Sequence, residues 1–235
     1  MTQDVSLGVW ALLGEPRTAA LLEHAGFDWV LLDQQHGHFD DRAVRETFEH
    51  RGEHRVPVLV RPRANAVDLI GRALDGGADG VIVPLVDSAE EAEAAVAAAH
   101  WPPRGRRSSG PLPFLAPADG FRPFTGVMVE TAAGLADVAR IAATPDLDLV
   151  FVGPFDLSLS LGTTVDALLA DESPESPLRR VVAACAEAGV TAGAFGATVP
   201  RARRFLELGF TFVVAALDTS VLAAGGSIAE QVRVD

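Results

Sequence analysis

Strand-like and helix-like runs of hydrophobic residues alternate along the whole chain. Short apolar runs fall at Leu7 to Leu13, Trp29 to Asp33, Pro57 to Arg61, Gly80 to Val86, Val127 to Glu130, Leu149 to Gly153, Thr191 to Phe195 and Phe210 to Ala216. Most are nearly continuous rather than alternating, the pattern of parallel strands buried on both faces. Between them lie amphipathic stretches such as Pro16 to Ala25, Ala66 to Asp75, Ala89 to Ala99, Ala132 to Ala143, Pro177 to Ala188 and Val199 to Leu208. Several end on glycine, as in Ala25-Gly26, Asp75-Gly76-Gly77, Ala188-Gly189 and Leu208-Gly209. Glycine just past a helix end takes the left-handed conformation that closes the last turn.

Eight such βα units predict an α/β fold, a single (β/α)₈ TIM barrel over residues 1–235. The alternative is a doubly wound open sheet. That fold usually carries a glycine fingerprint after its first strand, and Leu13-Gly14-Glu15-Pro16 does not provide one. One segment breaks the rhythm. Trp101 to Gly126 is rich in proline and glycine and reads as a long irregular loop, a kind of loop that often has a function.

Composition narrows the chemistry. The 235 residues, 49% of them hydrophobic, suffice for one large core. A net charge of −13 argues against nucleic acid as a partner. The single cysteine, Cys185, sits in an Ala-rich helical stretch and reads as packing; it rules out an internal disulfide and any cysteine-rich metal site. The start, Met1-Thr2-Gln3-Asp4, has no basic n-region, and no apolar run is long enough for a membrane span, so a cytoplasmic protein is expected. All 19 basic residues are arginine. Without lysine there is no Schiff base to a carbonyl substrate and no pyridoxal phosphate chemistry, so any carbanion must be stabilised by other means.

In a barrel of this kind the catalytic groups stand at the C-terminal ends of strands. Those ends supply Asp33 to His36, Arg61, Glu130 and Asp156. Taken singly, each has an ordinary reading. A loop histidine is usually a surface residue, and a strand-end arginine is usually half of an ion pair. The case rests on five such groups sharing one expected rim. Two carboxylates at buried strand ends call for a partner. A divalent cation held by Glu130 and Asp156 is the natural one, because hard cations prefer carboxylate oxygens. Trp10, on the first strand, reads either as a pocket wall or as core.

These residues fall in motifs that resemble the HpcH/HpaI aldolase family. The motifs are Gly26-Phe27-Asp28-Trp29-Val30-Leu31-Leu32-Asp33-Gln34-Gln35-His36-Gly37, Val60-Arg61-Pro62, Leu74 to Pro84, Trp101-Pro102-Pro103-Arg104-Gly105-Arg106-Arg107, Val129-Glu130-Thr131 and Gly153-Pro154-Phe155-Asp156-Leu157-Ser158. The resemblance runs in order over nearly the whole chain. It implies a metal-dependent, class II aldolase that cleaves or forms 2-oxo-4-hydroxy acids through a pyruvate-type enolate. Glu130 and Asp156 would hold Mg²⁺, Mn²⁺ or Co²⁺. Arg61 would place positive charge at the enolate oxygen, and His36 would move the proton of the aldol hydroxyl, with Asp33 orienting its ring. It also implies a hexamer built as a trimer of dimers, with the C-terminal helix exchanged between subunits across a joint at Gly225-Gly226.

The chain departs from the family pattern at Gln35, usually Glu, at Met128, usually Gln, and at Phe155, usually small. The loop from Ser108 to Gly126 is shorter than usual. Met128 and Phe155 therefore join Trp10 and Arg61 as substrate-facing candidates in a more apolar pocket. Alternative outcomes of the same enolate chemistry are 2-oxo acid decarboxylation and biosynthetic carbon–carbon bond formation. An acyl-CoA lyase is a third, with only Arg104, Arg106 and Arg107 to greet a CoA phosphate. A non-catalytic barrel is the last, and the intact Glu130, Asp156, Arg61 and His36 speak against it.

Overall fold

The apolar runs form strands that are buried on both faces, under the helices outside and against one another's side chains inside the closed sheet. The computed structural model describes residues 5–52, 56–109 and 122–233. In it β1 (Ser6–Ala11), β2 (Trp29–Asp33), β3 (Val58–Arg61), β4 (Gly80–Val83), β5 (Phe124–Val129), β6 (Leu149–Val152), β7 (Thr191–Phe195) and β8 (Phe212–Leu217) pair in chain order. Every pairing is parallel, and β8 returns to β1 to close the barrel. The expected TIM barrel is therefore the fold.

Alternation along each strand sorts the side chains into two cores. Trp29, Leu31, Leu59, Ile82, Met128, Leu149, Phe151 and Val214 point inward and fill the barrel with Trp10. Their neighbours in the chain, such as Val30, Leu32, Val58, Val60, Val81 and Val150, point outward and pack under the helices. Because the side-chain period of a strand is two, this sorting also fixes which strand-end residues enter the mouth. The β2–β3 register sets Asp33 opposite Arg61, and β5 runs beside β6 with Val129 opposite Val152. Glu130 follows Val129 directly, so it emerges next to Gly153.

Several boundaries differ from the expectation, each for a local reason. β4 stops at Val83 rather than Val86, because Leu85 adopts φ 54° and turns its amide towards Glu130. The stretch from Ala132 to Ala143 is two helices, Ala132–Ala136 and Val138–Ala142, broken at Asp137. There the Asp137 carboxylate accepts the amide of Ala89 at 2.8 Å. Asp156 lies in the first turn of a short helix, Pro154–Ser160. Gly225 and Gly226 form no joint: they lie inside one continuous helix, Asp218–Arg233. Of the irregular segment expected from Trp101 to Gly126, residues 110–121 lie outside the described residues, and β5 already begins at Phe124. Among the described residues no helix is long and apolar enough to cross a membrane.

Candidate active site

The C-terminal mouth of the barrel holds a pocket of about 220 Å³. Its lining includes Trp10, Asp33, His36, Arg61, Met128, Glu130, Phe155 and Asp156, which are all the residues that sequence reasoning nominated. Leu12, Gly153, Pro154 and Phe195 complete it.

Asp33 and Arg61 form its rigid base. The Arg61 guanidinium grips the carboxylate with two bonds, Nε to Oδ1 at 2.9 Å and Nη2 to Oδ2 at 2.5 Å. Trp10 Nε1 donates to Oδ2 at 3.1 Å, and the Arg61 guanidinium stacks on the Trp10 ring at 4.9 Å. Trp10 is thus both core and pocket wall. Burial alone would push the Asp33 carboxyl up, but the Arg61 pair together with the Trp10 and Gln35 N–H bonds outweighs it and holds the group below the usual carboxylate range. Oδ1 also accepts the backbone amides of Gln35 at 2.9 Å and His36 at 3.3 Å. The expectation that Asp33 orients the His36 ring is corrected here. Its oxygens hold the backbone of the loop that carries His36, and no described bond joins the carboxylate to the imidazole. His36 itself is exposed at the rim.

Glu130 is built differently. It is 2% exposed, and its described hydrogen bond is the Leu85 amide to Oε1 at 2.8 Å. Burial pushes its carboxyl above the usual range; the Leu85 amide and Arg61 pull it back, and the charges of Asp156 and Asp87 push it up again. Oε2 lies against Gly153, where any Cβ would collide with it. The β4 loop is fastened to this strand at three successive residues. Leu85 N meets Glu130, Val86 N donates to Met128 O at 3.1 Å, and Asp87 Oδ1 accepts the Thr131 hydroxyl. Asp156 is exposed on the first turn of its helix and faces Glu130 across the mouth. Among the described residues no three His, Cys, Asp or Glu side chains gather into a metal cage. Two carboxylates with the remaining positions open is the donor set of a site that shares its cation with water and substrate.

Sequence reasoning missed Asp218. It is 2% exposed and accepts the amides of Leu12 at 2.7 Å and Leu13 at 2.8 Å through Oδ2, pinning the β1 loop that brings Leu12 into the pocket. The signal was available, because Asp218 is a carboxylate directly after a strand, as Glu130 is. Phe195, the last residue of β7, was legible in the same way as a rim position.

The chain is similar to known proteins over nearly its whole length. The family model for HpcH/HpaI aldolase/citrate lyase matches residues 6–224. A "Hydroxypyruvate/pyruvate aldolase" of Deinococcus radiodurans is 36% identical over 231 residues, covering 92% of this chain and 81% of the relative. A "4-hydroxy-2-oxo-heptane-1,7-dioate aldolase" of Salmonella paratyphi C is 32% identical over 93% of this chain and 86% of its own length. The crystal structure of a family protein from Burkholderia cenocepacia superposes with a TM-score of 0.84 at 32% identity, covering 98% of this chain and 95% of that one.

Proposed function

The chain belongs to the HpcH/HpaI aldolase/citrate lyase family and is an aldolase-type carbon–carbon lyase, and we propose that it cleaves and forms 2-oxo-4-hydroxy acids through a pyruvate-type enolate, aided by a divalent cation at Glu130 and Asp156. The observation that carries this reading is the pocket itself. It sets two carboxylates with open oxygens beside a buried Arg61–Asp33 pair and a histidine at the rim.

The residues present fit a hard divalent cation. Glu130 is buried with like charges nearby and its described bond is one backbone amide, so a cation relieves what the fold leaves uncompensated. Mg²⁺, Mn²⁺ and Co²⁺ all suit such an oxygen donor set. When bound, the cation supplies positive charge for the carboxylate and keto oxygens of the 2-oxo acid. Arg61 has guanidinium N–H groups left beyond the two given to Asp33, and they offer hydrogen bonds to the oxygen on which charge develops. Asp33 keeps that guanidinium fixed and charged. His36, reached through its loop, exchanges the proton of the 4-hydroxyl as the C3–C4 bond breaks or forms.

The test is pyruvate release from a panel of 4-hydroxy-2-oxo acids. Chelator abolishes turnover, and Mg²⁺, Mn²⁺ or Co²⁺ restores it. Full turnover in excess chelator would overturn the cation's role. His36→Ala lowers cleavage by about 10²- to 10⁴-fold, while deuterium exchange into the pyruvate methyl group survives better. Equal loss of both moves His36 from the aldol step to enolisation.

Assembly belongs to the same reading, as a homo-oligomer built as a trimer of dimers. Its support is the large apolar side chains left exposed on segments that follow strand ends, among them Leu13, Leu85, Leu159 and Leu222. A monomer in light scattering at micromolar concentration would refute it.

A further inference from the structure

The pocket lining is of two kinds. Asp33, Arg61, Glu130 and Asp156 supply its charges, where the 2-oxo acid half belongs. Aromatic rings run beside them, starting at Trp10, which touches Asp33 and Arg61. Trp10 meets Phe195 edge-on with ring centroids 5.1 Å apart at 88°, and Phe195 meets Phe155 at 6.0 Å and 69°. The three rings form a continuous run from the buried base to the mouth. Phe155, at 45% exposure, stands at its open end. A phenyl ring exposed to this degree needs something to hold it. Arg201, on the helix Val199–Leu208, lays its guanidinium over the Phe155 ring at 5.5 Å. That guanidinium is tethered in turn by Asp166 at 3.1 Å.

Resting on the proposed function, we infer that this aromatic wall receives the aldehyde half of the substrate, and that the aldehyde carries an apolar chain or ring rather than hydroxyls or a second carboxylate. Phe195 is the specificity-determining contact. Arg201 is a positioning residue that acts through Phe155. The charges around the pocket support the choice. Arg61 is the one arginine lining the pocket among the described residues, and Asp33 holds it. Arg201 is engaged by Asp166 and Phe155, so it is not free to greet an anionic acceptor. Hydroxyls on the acceptor would face Phe195, Phe155 and Met128 without partners, which disfavours them. In the step itself, C3 of pyruvate gives up a proton and its electron pair bonds the aldehyde carbon. The aldehyde oxygen takes up a proton, so every atom of both reactants is kept in the product.

The experiment uses the full chain with Mg²⁺ and pyruvate, and compares kcat/KM for hexanal and for glyceraldehyde. Deuterium exchange into pyruvate without aldehyde serves as the control for the donor half. Hexanal is favoured by about 10-fold or more, in the range that a hydrophobic pocket can discriminate. Phe195→Ala lowers that ratio at least about 10-fold, and because the readout is a ratio, any loss common to both aldehydes cancels. Phe195→Leu, which keeps the core filled, lowers it less. Arg201→Met raises KM for hexanal by about 2- to 5-fold, the size of an exposed cation–π contact, with KM for pyruvate unchanged, and Arg201→Lys restores part of the loss. Intact exchange with glyceraldehyde favoured, or a ratio that Phe195→Ala and Phe195→Leu do not move, overturns this inference alone. Absence of exchange overturns the proposed function and the inference with it.

Discussion

Strand β2 begins beside Asp28 and ends on Asp33, and the two carboxylates have different partners. At the N-terminal end of the barrel, Asp28 Oδ2 accepts the Leu7 amide at 2.7 Å while the Asp28 amide donates back to Leu7 O at 2.8 Å. The same two-way clasp recurs two strands on. Asp79 joins Val58, with 2.8 Å to the carboxylate and 3.0 Å to the carbonyl, and Asp148 joins Thr125, with 2.8 and 2.9 Å. Before β8, Thr211 stands in the corresponding place. At this end the carboxylates bind backbone of the preceding strand, Asp79 and Asp148 also hold Arg51 and Arg122, and a column of Trp29, Phe212 and Phe124 rings stacks between. At the other end, Asp33 binds an arginine, and Glu130 keeps one oxygen against a glycine with a single amide on the other. The carboxylates of the N-terminal end stand outside the pocket, whereas Asp33 and Glu130 line it. What separates them is access to the pocket: Asp33 also fastens backbone, through the Gln35 and His36 amides, but it does so within the pocket lining.

The largest effect expected from this contrast is at Glu130. Glu130→Gln keeps an acceptor for the Leu85 amide and removes the charge that the proposed cation site needs. Activity should fall by about 10³-fold or more, corresponding to several kcal/mol of charge stabilisation. In chelator, the melting temperature should hold or rise, because a buried charge with little compensation is lost. Retention of wild-type turnover, or unfolding of the variant, would erase the distinction between the two mouths.

Asp33 comes next, because it belongs to both classes: it fixes structure and serves the pocket. Removing one partner of a buried ion pair costs about 3–5 kcal/mol, so Asp33→Ala should be strongly destabilised and nearly inactive. Its carboxyl is held below the usual range, so its contribution to stability is present above the unfolded value near pH 4 and is lost as the pH falls through the lowered folded value. Denaturant titrations should show a constant gap between wild type and variant at neutral pH that closes only in strong acid. A gap that closes near pH 6 would mean that the Arg61 pair is not its source.

The same contrast explains what could be read from the chain. Near-continuous apolar runs and glycine stops were enough for eight strands in one barrel, because burial on both faces leaves that pattern in the residues. The rim residues were legible because strand ends are countable, so Asp33, Arg61 and Glu130 could be placed before any contact was known. The partners could not be read. Phe27-Asp28-Trp29 and Leu32-Asp33-Gln34 look alike in one dimension, and only the closed barrel gives Asp28 an amide and Asp33 a guanidinium. The left-handed turn at Leu85 was illegible for a related reason: a tertiary contact, its amide on Glu130, overrides what the residue type favours. The unbroken helix through Gly225 and Gly226 has no such contact to explain it, since both glycines are exposed.

The smallest effect tests the fastening end. Asp28→Ala leaves the Leu7 amide without its carboxylate but near solvent, so the loss is at the low end for an unsatisfied donor, about 1 kcal/mol. For a chain of this length that is a fall of about 2–4 °C in melting temperature. Asp148→Ala should cost somewhat more, because Arg122 also loses its bond to that carboxylate, 2.7 Å in length. The clasps of Asp28 and Asp148 share no partner, so the double variant should show the sum of the two losses. Throughout the series kcat should stay at the wild-type value, since neither carboxylate lines the pocket. A fall in kcat that tracks the melting temperature would mean that the clasps set the register of the strands at the far mouth. In that case the two ends of β2 are one device, and the division of labour between Asp28 and Asp33 fails.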